Sequence, residues 1–330
     1  MNRTLMLLAS ALLLSACNNG DKAPASSTGP DQTEASQPAP QPAPAPQEQA
    51  QQHSPYDFDS YYRWVPNTND ADKLRSALHK HIDNHRVIPY TKYDNDGKDC
   101  WNDGRWNSCE IDVWEALNYT DAACDDASAY CDSVVLLYSG DVRPMKKANR
   151  GKGKDDSWDR EHVWPKSRGF PKKAQDGYTD LHHLRPADRN INGKHSNLGY
   201  DEGGKPVVDE TLDGTPVTGI RVDLDNQSFE PTDLAKGQVA RMLFYMAVRY
   251  EAGDNLGDEK MPDLKLIDDN KKIKEPVIGD LCTLLKWNTR FPVTDFERRR
   301  NDRVEQIQGN RNPFIDRPDY ADVIWGAECR

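Results

Sequence analysis

The run TDLAKGQVARMLFYMAVRYEAG, Thr232 to Gly253, is the strongest helix signal in the chain and does most to limit what it can fold into. Thr232 stands where an N-cap belongs, and Val239, Leu243 and Met246 recur on one face at helical spacing. Its methionines and aromatics read as core. A second long helix is expected from TDFERRRNDRVEQIQGN, which opens with a Thr294–Glu297 capping box and stops at Gly309. Asp70 to Arg86 carries Leu74, Leu78 and Ile82 at intervals of four, an amphipathic stripe. His79, His81 and His85 within it read as surface or packing residues. SVVLLYSG, Ser133 to Gly140, reads as a short buried strand. Long helices, scattered short strands and much irregular chain predict an α+β fold without internal repeats.

The first 55 residues are of another kind. MNRTLMLLASALLLSAC places Arg3 before an apolar run that is too short to span a bilayer, the layout of a secretory signal. Cys17 follows small residues, as in a bacterial lipobox, and is the expected lipidation site. Residues 18–55, with PAPQPAPAPQEQAQQ at their centre, hold almost no large apolar side chains and cannot offset the entropy of folding. They read as a Pro-rich tether reaching up to roughly 100 Å. Residues 56–330 are expected to form a single globular, monomeric unit, exported and either anchored through the lipid or released.

Six cysteines remain: Cys100, Cys109, Cys124, Cys131, Cys282 and Cys329. An even number in an exported chain points to disulfides, and proximity pairs them in that order. The absence of any CxxC pair argues against a structural metal. Taken as an average, the net charge of −11 opposes a polyanionic partner, but the distribution matters more. Between Arg143 and Lys173 eleven Lys and Arg face four Asp and Glu, and ERRRNDR (297–303) adds a second basic cluster.

Inside the basic segment lies DREHVWPKSRGF, Asp159 to Phe170. Taken alone, Glu161-His162 is an ordinary surface ion pair. Shortly after come TDLHHLRPAD and NINGKHSN. Asp180 to Leu184 alternates as a strand would, Pro186 suits a first helical position, and Asp188 suits a first turn. The local order is then strand, loop, strand, short helix.

REHVWPKSRG, TDLHHLRPAD, NGKHSN and the distant IQGNRNPFID together resemble the bacterial endonuclease I family of secreted and periplasmic nucleases. The resemblance spans most of residues 56–330 and implies a ββα-metal (His-Me finger) core. It implies His162 as general base, with Glu161 and Asn192 as ligands of one divalent metal, Mg²⁺ first and Mn²⁺ or Ca²⁺ as alternatives. Asp159, Asp180 and His182 would either orient the base or ligand waters or serve as hydrogen-bonded core groups, Asn192-Gly193 taken alone reads as a turn, and Asn197 would close the short helix. His183 stands where some members carry Asn. The family also supplies an arginine for the charged transition state; Arg168 is assigned here, with Arg311 as its rival. Arg160, Lys166, Lys172, Lys173 and Arg311 would hold phosphates of DNA, or of RNA. Products would carry 5′-phosphate and 3′-hydroxyl ends.

Elementary chemistry agrees with this division. A neutral imidazole accepts a proton near pH 7, while a hard cation prefers oxygen donors and keeps coordination sites for phosphate. Two rivals are weighed: a non-catalytic DNA-binding surface lipoprotein, and a zinc hydrolase of peptides or small phosphoesters using His162, His182 and His183. No HExxH helix supports the peptidase form. One difficulty stands, since adjacent residues in a strand face opposite sides.

Overall fold

The structure, a computed structural model, describes residues 57–329 apart from 92–100, 103–104, 107–110, 126–130, 152, 155, 211–213 and 254–258. The signal segment, Cys17, the tether, Cys100 and Cys109 lie outside the described residues. In chain order the elements that frame the site are helix α1 (Ala71–Ile82), helix α2 (Val113–Thr120), and strands β1 (Ser133–Val135), β2 (Val142–Pro144), β3 (Trp158–His162) and β4 (Leu184–Asp188). Helix α3 (Arg189–His195) and strands β5 (Gly199–Tyr200), β6 (Lys205–Pro206), β7 (Arg221–Asp223) and β8 (Ser228–Glu230) follow. Helices α4 (Asp233–Arg249), α5 (Leu281–Arg290), α6 (Asp295–Gln308) and α7 (Tyr320–Trp325) complete the set.

Helix α4 is the central post. Burial extends all round it and not just to the expected face, and includes Arg241 and Arg249. Arg241 is tolerated because it meets Glu297 of α6 through two hydrogen bonds of 2.8 and 2.9 Å. The helix ends at Arg249, short of Gly253, and Thr232 makes no side-chain cap; its hydroxyl donates to the Tyr138 carbonyl at 2.6 Å. Helix α6 follows its sequence signals, with the Thr294–Glu297 capping box formed and Gly309 closing it at φ +90°. Helix α1 starts from Asp70, which accepts the Lys73 amide, and buries Leu74, Leu78 and Ile82.

The two ends of the domain meet. Arg75 of α1 lies over the Trp325 ring of α7 at 5.4 Å, and the Tyr62 hydroxyl donates to Asp316 at 2.7 Å. Cys282 of α5 is bonded to Cys329, and Cys124 to Cys131, two of the three expected pairs.

Strands β3 and β4 pair antiparallel from Trp158↔Asp188 to His162↔Leu184, and α3 follows at once. This β-β-α unit differs from the expected boundaries. Asp180 to His183 is a turn, because the Asp180 carbonyl accepts the His183 and Leu184 amides and its carboxylate accepts the His182 amide. Pro186 sits within β4, and the helix begins after Asp188, whose Oδ1 accepts the Asn190 and Ile191 amides. Beyond α3, a four-stranded sheet runs in the order β5-β8-β7-β6, with β5 and β8 parallel.

Asp180 itself is 1% exposed and gathers the Tyr245 and Tyr250 hydroxyls at 2.9 and 3.0 Å and the Gln308 amide at 2.9 Å. Burial alone would raise its carboxyl, but His85, the two adjacent imidazoles and Gln308 outweigh that and hold it well below the carboxylate range. His182 donates Nε2–H to the Asn310 carbonyl, and His183 donates its own to the Gly177 carbonyl. Burial pushes His182 down to about 3 and His183 down to about 4. Both rings are thus neutral when folded but take up a proton once unfolded. Stability is complete above pH about 6.5 and is lost as pH falls toward 4, by up to about 1.4 kcal/mol per pH unit for each ring. Urea unfolding across pH 7 to 4.5 should show this slope, and His183→Asn should flatten it.

Candidate active site

Glu161 and His162 occupy the last two rungs of the β3–β4 ladder, in regular register with Arg185 and Leu184. Their side chains therefore leave opposite faces of the strand. Glu161 turns toward α3, and His162 toward the 163–183 loop.

The Glu161 carboxylate is 2% exposed. Its Oε1 accepts the Tyr138 hydroxyl at 2.7 Å and lies 2.6 Å from Nδ1 of His195 on α3. His195 stacks on Tyr200, with ring centroids 4.9 Å apart, and the Tyr200 hydroxyl donates to the Val163 carbonyl. Burial, and then the charge of Glu161, push both phenols well above their usual range, so they stay protonated beside the carboxylate. Oε2 of Glu161 has no hydrogen-bond partner among the described residues, and no Lys or Arg pairs with this carboxylate there. Asn192 stands one turn before His195, at the i−3 spacing that shares a helix face. Its side-chain amide also makes no hydrogen bond within the described chain.

His162 is locked differently. One ring nitrogen, Nε2, lies 2.9 Å from the Tyr178 carbonyl. A carbonyl can only accept, so Nε2 carries the proton and Nδ1 keeps its lone pair. Tyr90, Tyr178 and His183 surround the ring at centroid distances of 6.0, 4.9 and 5.6 Å. Burial holds the imidazole well below its ordinary range, and the charges of Lys166 and Arg160 push the same way. At neutral pH it is an unprotonated base.

The Endonuclease I family profile matches residues 71–319. An extracellular ribonuclease of Bacillus amyloliquefaciens is 39% identical over 270 residues, 82% of this chain and 79% of that protein. The extracellular ribonuclease of Bacillus subtilis (strain 168) is 39% identical over 274 residues, 82% of this chain and 81% of its own length. The chain belongs to the endonuclease I family. An extracellular deoxyribonuclease of Aeromonas hydrophila, 28% identical over 140 residues, aligns with less than half of this chain.

Several roles expected from the endonuclease I resemblance need correcting. Arg168 is fully buried and donates to the carbonyls of Asn197, Val277 and Asn270 at 2.9–3.1 Å, so its guanidinium is spent on the scaffold. Arg311 is fully buried among Asp302, Glu305 and Asp316 and faces no phosphate site. Asp180 and His182 take the second of their two expected roles, as hydrogen-bonded core groups in the network under α4, and Asp159 accepts from Asn149 rather than from His162. Ser196, at φ 54°, closes α3, and Asn197 contributes its carbonyl to Arg168. His162, His182 and His183 form no three-ligand cluster among the described residues; His182 and His183 each serve a separate carbonyl. The zinc reading loses its ligand set. Asp268 and Asp280 approach Cys282, but that sulfur is in a disulfide and both carboxylates accept backbone amides of α5.

Among the surface cations, Lys166 donates to the Tyr178 hydroxyl at 3.0 Å, Lys173 lies over the Tyr90 ring at 5.3 Å, and Lys172 pairs with Glu259. His195 and Tyr138 were not given roles by the sequence. The i+3 offset of His195 from Asn192 was a usable signal; Tyr138, at the end of an apolar run, had none. Replacing Arg168 with Met should leave three carbonyls unsatisfied and cost about 3 kcal/mol in denaturant unfolding. If Arg168 instead held substrate, the loss would be in rate with stability retained.

Proposed function

We propose that this chain is an exported, metal-dependent endonuclease of low sequence specificity that hydrolyses phosphodiester bonds in RNA and DNA, leaving 5′-phosphate and 3′-hydroxyl ends. The observation that carries this reading is the division of labour at the end of β3. One residue offers an oriented carboxylate oxygen, and the next a neutral imidazole with an open nitrogen.

In this reading His162 takes a proton from the attacking water at Nδ1, while Nε2–H stays on the Tyr178 carbonyl and fixes the ring. Glu161 and Asn192 hold the cation, and His195 and Tyr138 aim the Glu161 carboxylate. The donor set fits a hard ion: the available atoms are oxygens, and a buried carboxylate without a Lys or Arg partner favours a positive charge beside it. Mg²⁺ is the ion proposed, with Mn²⁺ or Ca²⁺ as substitutes. When bound, such an ion supplies Lewis-acid stabilisation of the phosphate oxygens. The ββα-metal core is the corresponding fold reading, supported by the β3-β4-α3 order.

Lys166, Arg160 and, across the Tyr90 ring, Lys173 supply positive charge around His162, and Lys172 pairs with Glu259. Phosphate contacts fix register without reading sequence, in keeping with low specificity. The two relatives named extracellular ribonuclease align with four fifths of the chain, so RNA joins DNA as an equal substrate. The enzyme is proposed to act as a monomer, exported through the N-terminal signal and lipidated at Cys17.

Purified protein incubated with plasmid and with labelled RNA should degrade both in Mg²⁺ and neither in excess chelator. Binding without degradation by the wild type would select the non-catalytic lipoprotein reading. His162→Ala should lower kcat by about 10²–10⁴-fold while an oligonucleotide still binds. A variant cutting at the wild-type rate would refute the base. Glu161→Gln should raise the metal concentration for half-maximal rate by at least tenfold, with oligonucleotide binding in chelator retained.

A further inference from the structure

Arg168 and Arg311 are committed to the scaffold, and another guanidinium, that of Arg160, stands two residues before His162. Alternation along β3 puts Arg160 on the His162 side of the strand. Its guanidinium carbon lies 3.4 Å from the Tyr90 ring centre and 4.0 Å from that of Trp114, within cation–π range of both rings. One nitrogen donates to the Tyr90 carbonyl and to Thr91 Oγ1. Tyr90 also packs near-parallel to His162, with an interplanar angle of 27°, and carries Lys173 on its ring.

Arg160 lacks a counter-charge, as Arg168 and Arg303 do, but each of those two is spent on three backbone carbonyls, whereas a single nitrogen of Arg160 donates among the described residues. Arg143, Arg185, Arg241, Arg300 and Arg311 are all buried and all paired with carboxylates. Arg160 is half-buried, has no carboxylate partner among the described residues, and leaves Nε buried without an acceptor. Burial without such a partner pulls its pKa below the usual arginine value, although Tyr90 and Asp112 act in the opposite direction. A desolvated, pre-oriented guanidinium of this kind favours an anion.

We propose that Arg160 is the centre of an anion subsite that takes the substrate phosphate adjacent to the one cleaved, so that the enzyme grips a strand and not an isolated diester. The proposal rests on the reading of His162 and Glu161 as the hydrolytic pair. The scissile phosphate must lie at the strand end, within reach of both. Arg160 sits two residues back, about 6.6 Å along β3, an offset comparable with one nucleotide step of an extended strand. Tyr90 and Trp114 hold the guanidinium through cation–π contact, and Lys173 adds charge on the Tyr90 ring.

The test scores cleavage at one linkage of short oligonucleotides that carry a single neutral methylphosphonate immediately 5′ or 3′ of it. In the wild type one of the two placements should lower kcat/KM about tenfold, the effect of one charge-assisted contact. Arg160→Gln should lose about tenfold on the fully charged strand, and the same methylphosphonate should then cost nothing more. Its slope of log kcat/KM against log salt should fall by about 0.7. Arg160→Lys should recover part of the rate and of the slope, and melting temperatures of both variants establish that they are folded. Equal methylphosphonate penalties in wild type and Arg160→Gln, or no penalty at either position in the wild type, would overturn the subsite. A wild-type protein that fails to cut the fully charged strand in Mg²⁺ would instead overturn the nuclease reading, and the subsite with it.

Discussion

A single buried carboxylate holds the strand ladder that carries the candidate site to the rest of the domain. Asp180 takes hydroxyls from Tyr245 and Tyr250 at the end of α4, an amide from Gln308 at the end of α6, and the amide of His182 in its own turn. That turn delivers Leu184 to pair with His162. Without the charge at 180, two phenols and a carboxamide would be stranded in an apolar interior, each costing about 1–3 kcal/mol. The register of the strand bearing the site therefore depends on packing around a helix remote from it in sequence.

The site answers a geometrical problem that adjacent residues in a strand always pose. Glu161 and His162 do not share a face, and each is made rigid by separate means. A phenol and an imidazole orient the Glu161 carboxylate, and a main-chain carbonyl fixes the tautomer of His162. Hydrolysis of a phosphodiester asks for this separation, since charge stabilisation and proton removal act on different atoms of the reacting group.

Much of this was legible from residue patterns, and the failures have physical causes. Capping signals located α6 to the residue, because Thr294, Glu297 and Gly309 act through local backbone bonds. The pairing of Cys282 with Cys329 was also anticipated. The turn at Asp180 was misread as a strand, because His182 and His183 alternate correctly while their real partners, Asn310 and Gly177, lie outside any local pattern. Arg168 and Arg311 were matched to phosphate through the family resemblance, the one in the basic segment and the other in the IQGNRNPFID block, and a charged side chain carries no mark of burial. Only tertiary contacts distinguish a guanidinium that braces carbonyls from one that awaits an anion. Tyr138 shows the same limit from the other side, an apolar-run residue whose hydroxyl reaches the centre of the site.

The meeting of the first and last helices has a consequence for how such a chain comes to be folded. Arg75 needs Trp325, Tyr62 needs Asp316, and Cys282 needs Cys329. All three partners lie between residues 316 and 329, about 250 positions beyond Tyr62 and Arg75. A chain that emerges amino-end first would lack these contacts until that segment arrived. The candidate site, hung from the same scaffold, would gain its full support only then.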